Sequence, residues 1–267
     1  MPYFFGIPPL IWIVFGVMIG LIFGSFANVV VFRLPRGKSI LRPGSHCTNC
    51  GNMLSILCLI PVISWLVLGG RCKYCRVKIS LRYPVVEGVC ALLFVGMIGH
   101  APTLSAVPLS IFAFMLLCIA FIDGDTQEIP DSLLIISAVV GIVWLVMAHF
   151  APMLFSTAPS WRDALLGILI GALPLFILDR ITLLLLNKDG FGYGDVKLMA
   201  MAGLFLCWQN MLVAYFFAFI AGGMYAAFLL VTKRAKRSTY IAFGPFLCAG
   251  IIMALWWGQQ FVAILFT

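Results

Sequence analysis

Apolar residues run along this chain in long blocks, parted by short stretches where glycine, proline and charge collect. A block of about twenty apolar residues with no charge is long enough to cross hydrocarbon as a helix. The pattern predicts spans at residues 10–32, 85–99, 104–122, 133–150, 164–186, 211–231 and 240–266. A shorter apolar segment runs from Asp195 to about residue 208. It is below the usual length for a crossing, so the glycine turn before it either completes the span or re-enters the membrane. The expected fold is an all-α polytopic membrane protein of about eight transmembrane helices. Its parts are a first helix at 1–32, a polar loop domain at 33–83 and a helix bundle at 84–267.

The polar loop has its own pattern. Residues 33–83 carry nine Lys or Arg and no Asp or Glu. Its apolar middle, residues 56–68, is short and broken by Pro61, so it is not counted as a span. It is expected to pack on the membrane surface or on the rest of the loop.

Composition agrees with the pattern. Of 267 residues, 63% are hydrophobic and 10% charged, and the mean hydropathy is +1.13, unlike any soluble domain. The first apolar block is too long for a signal-peptide core and has no basic residue before it, so no cleavable signal is expected. The net charge of +8 does not point to nucleic acid, because the cations collect in a few loops as membrane topology predicts. With residues 33–83 inside, alternate counting puts 16 of the 17 Lys and Arg inside and leaves Arg162 outside. That arrangement has both termini outside and puts Asp123, Asp125 and Asp195 on one cytoplasmic face.

Two stretches then carry candidate chemistry. Cys47-Thr48-Asn49-Cys50 and Cys72-Lys73-Tyr74-Cys75 form two Cys-x-x-Cys knuckles. Their spacing predicts a four-thiolate zinc site, structural because four ligands close the coordination shell. A basic loop in a reducing compartment disfavours disulfides. His46 adjoins the first knuckle and is expected to be a bystander.

The second feature is a pair of acidic stretches beside apolar blocks: Ile122-Asp123-Gly124-Asp125-Thr126-Gln127-Glu128-Ile129-Pro130-Asp131 and Gly190-Phe191-Gly192-Tyr193-Gly194-Asp195-Val196-Lys197. Carboxylates at membrane depth are costly and point to function. One Asp from each stretch, brought together, would share a proton and hydrolyse a peptide bond through activated water. The same acids also fit a proton or cation pathway in a transporter, or plain helix caps with Asp131 and Asp195 at helix starts. A scaffold protein with no chemistry is a third reading. Neither a His-Glu-x-x-His nor a Gly-x-Ser-x-Gly motif is present.

Taken in order, the motifs resemble those of the bacterial type IV prepilin peptidases. They comprise Gly24-Ser25-Phe26-Ala27-Asn28 with Arg33-Leu34-Pro35, the two knuckles, and Pro61-Val62-Ile63-Ser64-Trp65 with Gly69-Gly70-Arg71-Cys72 between them. Arg82-Tyr83-Pro84 with Glu87, the two acidic stretches, and Phe243-Gly244-Pro245-Phe246 complete the set. The resemblance implies a Gly-x-Gly-Asp membrane aspartic protease that removes the basic leader of type IV prepilins or type II secretion pseudopilins after a glycine, at the cytoplasmic face of the inner membrane. It implies Asp123 and Asp195 as the catalytic pair, with Asp123 preferred over Asp125 by its distance from Pro130, and Gly192, Gly194 and Lys197 as support. It also implies N-methylation of the new N-terminus from S-adenosylmethionine, with Gly70 and Glu87 as candidate cofactor-binding residues in or beside the zinc loop and Asn28 nearby in motif terms. Thr48 and Ala242 depart from residues common in the family and touch no implied ligand or acid. The leader is expected to meet the acids around Glu128 and Asp131, since the enzyme's own loop is basic.

Overall fold

The structure is a computed structural model, and it describes residues 8–101, 103–186, 192–233 and 241–266. Among these are nine α-helices: α1 Pro9–Arg33, α2 Ile63–Val67, α3 Arg82–His100, α4 Ala106–Thr126, α5 Asp131–Phe150, α6 Trp161–Leu186, α7 Tyr193–Ala202, α8 Trp208–Val231 and α9 Gly244–Phe266. All but α2 and α7 are long and apolar enough to cross a membrane. Lys188, Arg234, Lys236 and Arg237, which entered the topology count, lie outside the described residues, as do Gly190 and Phe191.

The segment expected as a short sixth span is α7. Its ten residues make about 15 Å of helix. Successive i→i+3 bonds from Gly203, Leu204 and Phe205 to Ala200, Met201 and Ala202 carry it on as a 3₁₀ turn. The ordered rise therefore reaches about 20 Å, close to a crossing but short of one.

The chain divides into two compact units, Met1–Pro102 and Thr103–Thr267. In the first, α1 packs along α3. The reason is readable in α1, where Gly16, Gly20 and Gly24 repeat every four residues on one face. A Cβ on Gly20 would stand 2.5 Å from the Ala91 backbone, and one on Gly24 would stand 2.6 Å from the Glu87 backbone. Small residues at this spacing let two helix backbones meet in a medium that supplies no hydrophobic drive. Asn28 donates across the pair to the Tyr83 carbonyl at 3.2 Å, a helix-to-helix bond. The helix α3, expected to open the bundle from residue 84, is thus α1's partner in the first unit.

The second unit is built around α4, the most buried of the spans, with α5 and α9 packed against it. Phe112 of α4 stacks on Phe205 at 3.9 Å, and Trp144 of α5 lies against the same ring at 5.7 Å. The helix α7 sits among α5, α6 and α9. Gly167 and Gly171 of α6 let it approach the end of α7, since a Cβ on either would strike the backbone at Gly203 or Met199.

Candidate active site

The last turn of α4 carries Asp123 and Asp125, and the helix sorts them by face. Asp123 is buried with 5% of its surface exposed, whereas Asp125 is exposed. The main chain of Asp123 also closes the helix. Gln127 turns left-handed at φ 56° and returns its N–H to the Asp123 carbonyl at 2.8 Å. The Asp123 side chain accepts the Gly244 N–H at 3.0 Å. Gly244 is the first residue of α9, and a Cβ there would fall 2.6 Å from Asp123 Oδ2. Only glycine lets the helix start approach the carboxylate this closely, and the positive end of the α9 dipole then faces the acid.

Asp195 is the third residue of α7 and is also buried. Gly192 is the N-cap, and the Asp195 carboxylate reaches back to its N–H as an acid at this position does in a capping box. Asp195 therefore caps its own helix and still faces Asp123, whose charge acts on it directly. Cys248, one turn into α9, lies within electrostatic reach of both carboxylates. Two carboxylates within electrostatic reach of one another cannot both ionise cheaply.

The turn before Asp195 is fixed from three sides. Gly194 lies against Ile129, where a Cβ would stand 3.0 Å from the isoleucine Cβ. Lys197 Nζ donates to both oxygens of Asp131, at 2.8 and 3.1 Å. Arg180 of α6 donates to the Tyr193 hydroxyl at 2.8 Å and pairs with Asp179 at 3.0 Å. The N-cap of α5 is Pro130, so Asp131 stands one place inside the helix, in the first turn, where an acid complements the dipole. Of the two acids expected to meet a basic leader, Asp131 is thus engaged by Lys197 and Glu128 is exposed.

In the first unit the four knuckle cysteines converge, their sulfurs all within 4.8 Å of one another. Cys47 Sγ and Cys75 Sγ are 3.8 Å apart. A tetrahedron of Zn–S bonds of about 2.3 Å has sulfurs about 3.8 Å apart, so the cluster is of a size that could hold zinc. The knuckles fold alike. In each, the first cysteine accepts the N–H of the residue after the second, Gly51 to Cys47 and Arg76 to Cys72, and those residues are left-handed at φ 71° and 58°. The N–H groups of Cys50 and Asn49 hold the Cys47 thiol below its ordinary value. The Val77 N–H and the Asn49 side chain hold Cys75 down to about 6. Cys50 goes the other way: although the Asn52 N–H favours its thiolate, lost hydration and the neighbouring thiols push it up to about 11. Four thiols this close call for a cation.

Comparison with known proteins gives the same two-part division. The Bacterial Peptidase A24 N-terminal domain matches residues 18–101, and the Type IV leader peptidase family matches residues 110–227. Three relatives are each named prepilin leader peptidase/N-methyltransferase. One from Stutzerimonas stutzeri is 33% identical over 96% of this chain and 94% of its own. One from Pseudomonas aeruginosa is 33% identical over 94% and 92%, and one from Myxococcus xanthus is 37% identical over 90% and 69%. The chain belongs to the type IV leader peptidase family. No solved structure matches it. These relatives do not favour a transporter.

Within this leader peptidase the remaining expected residues are engaged locally. Gly70 is buried at φ 65°, and a Cβ would press into the Trp65 ring at 2.7 Å. Trp65 in turn donates Nε1–H to the Ile79 carbonyl at 3.2 Å. Glu87 is buried on α3, where its carboxylate accepts the Val62 N–H at 2.7 Å and meets the Ser25 side chain. His46 bonds Gly44 and stands outside the thiolate cluster. Sequence reasoning did not single out Gly244, Arg180 and Tyr193 as neighbours of the two acids. The available signal for the first was a glycine at a Phe-Gly-Pro helix start.

Proposed function

We propose that this chain cleaves the basic leader from type IV prepilins or type II secretion pseudopilins after a glycine, with Asp123 and Asp195 as the catalytic pair, and then N-methylates the new N-terminal residue. The observation that carries this reading is the buried pair itself, one carboxylate held by Gly244 and the other by Gly192. The ionised member takes a proton from water as its oxygen attacks the scissile carbonyl carbon. The protonated member gives its proton to the carbonyl oxygen. Collapse of the resulting gem-diol breaks the C–N bond: the leaving amine takes the proton gained from water, one hydroxyl returns its proton to the other carboxylate as the C=O re-forms, and the dyad again holds one proton. Gly192, Gly194 and Lys197 hold Asp195 in place. Exposure of Asp125 supports Asp123 as its partner.

The four thiolates of Cys47, Cys50, Cys72 and Cys75 hold a structural zinc that orders the loop. Methyl transfer belongs to the first unit, with Gly70 and Glu87 as candidate residues toward S-adenosylmethionine. When bound, that donor would supply an electrophilic methyl to the freed amine, its sulfonium leaving as a neutral thioether while the amine loses a proton. The charge pattern supports an inner-membrane protein with both termini periplasmic and the zinc loop and acids cytoplasmic. Glu128, exposed beside the pair, is the acid left to meet a basic leader.

The test is incubation of purified protein with a prepilin and S-adenosylmethionine, following substrate mass. Wild type and Asp125→Asn remove the leader and add one methyl mass. Asp123→Asn and Asp195→Asn do neither, since the methylated amine exists only after cleavage. Full cleavage by either of the last two variants rules out the dyad.

A further inference from the structure

The loop between α1 and α3 carries an apolar surface that neither its own knuckles nor any other described part of the chain covers. Ile56 and Leu57 are 84% and 70% exposed, and Leu66 and Val67 are 63% and 79% exposed, with Ile60 and Ile63 also open. A short 3₁₀ turn at Ile56–Leu59 and the helix α2 present them. Exposed apolar side chains gathered in one short segment outside the spans mark a contact surface.

Two observations say what lies against it. The first is depth. The Val62 N–H is bonded to the Glu87 carboxylate, five residues into α3 and so about 7 Å along a spanning helix from its start. Glu87 also meets Ser25, well inside α1. The turn that joins the two apolar pieces is therefore pinned at the level where these spans enter hydrocarbon. It is pinned tightly. Val62 holds φ 58° and ψ −51°, a γ-turn geometry foreign to a β-branched residue, with Ile63 N–H returned to the Pro61 carbonyl. Strain of this kind persists where surrounding contacts over-determine it, and here the Glu87 carboxylate holds the strained N–H.

The second observation is charge. Arg71, Lys73, Arg76 and Lys78 lie before, within and after the second knuckle, all exposed, and residues 33–83 contain no acid to neutralise them. Apolar side chains at the hydrocarbon boundary beside unopposed cations are the signature of an interfacial element on anionic lipid.

We infer that residues 56–68 form a membrane-surface element whose apolar side chains enter the leaflet at which α1 ends and α3 begins, with the cations of the second knuckle on anionic headgroups. The Glu87–Val62 bond sets its depth. The zinc module is thereby laid on the bilayer and does not swing free of it.

The experiment places the photoreactive residue p-benzoylphenylalanine at Leu57, Leu66 or Tyr74 of the full chain, in nanodiscs mixing phosphatidylglycerol with phosphatidylethanolamine. Leu92, exposed at mid-span on α3, is the lipid-facing reference. After irradiation, mass spectrometry counts lipid adducts. Leu57 and Leu66 are expected to capture lipid within about three-fold of Leu92. Capture more than ten-fold lower, or capture of a second protein chain in place of lipid, overturns the inference. At Tyr74, between Lys73 and Arg76, adducts are expected to be enriched at least two-fold in phosphatidylglycerol over its share of the bilayer. Proportional capture there overturns the assignment of the cations to headgroups.

Discussion

At the scale of single residues, the active-site pair depends on a missing side chain. The Gly244 N–H reaches Asp123 because nothing stands at its Cβ position, and a methyl group there would overlap the carboxylate. Gly244→Ala therefore has to move either α9 or Asp123. A displacement near 1 Å at a reacting group lowers rate about 10²-fold. Prepilin cleavage by Gly244→Ala is expected to fall by about that factor with zinc content unchanged, read by substrate mass and by metal analysis. The sequence displays Asp123 and Asp125 as equals two places apart, and only the helix separates them, since two residues along an α-helix is about 200° of rotation. Motif spacing selected the buried one. Gly244 was harder to see, because a glycine before a proline reads as a helix start and its partner lies 121 positions away.

At the scale of elements, the contacts that hold α7 differ in strength. The Lys197–Asp131 pair lies at the surface, with the two side chains 53% and 62% exposed. An exposed ion pair contributes at most about 1 kcal/mol. Lys197→Met is thus expected to leave thermal stability nearly unchanged and to lower kcat, with little change in KM, in a steady-state assay on a leader peptide. The glycine face of α1 is the opposite case, because it meets backbone and not the tip of a flexible chain. Gly20→Leu overpacks the α1–α3 seam and is expected to cost about 1–3 kcal/mol or more, read as a lower unfolding temperature in detergent. Element positions were legible in the apolar blocks, as α3, α4, α5 and α8 show to within a few residues. The partner of α3 was not. Hydropathy says which segments cross the membrane and nothing about which neighbour each one chooses.

At the scale of the whole molecule, the proposed peptidase residues and the cysteine cluster fall in separate units. Asp123, Asp195, Gly192 and Gly244 all belong to the unit Thr103–Thr267, and the four cysteines to Met1–Pro102. Stripping zinc with a strong chelator is expected to abolish methylation and leave leader removal within about two-fold, since four-thiolate loops lose their fold without metal. Mass analysis of the product, unmethylated but shortened, reads both at once. The four-cysteine cluster was the most legible part of the chain, because two knuckles name their own members. The peptidase site was legible as acids but not as an enclosure, which needs a helix from the far end of the chain. That last dependence reaches into biogenesis. The group that holds Asp123 arrives only with residue 244, so a chain still emerging from the ribosome has both acids in the membrane well before it has a finished site. The proposed site is therefore expected to be complete only once the last helix has entered the bilayer.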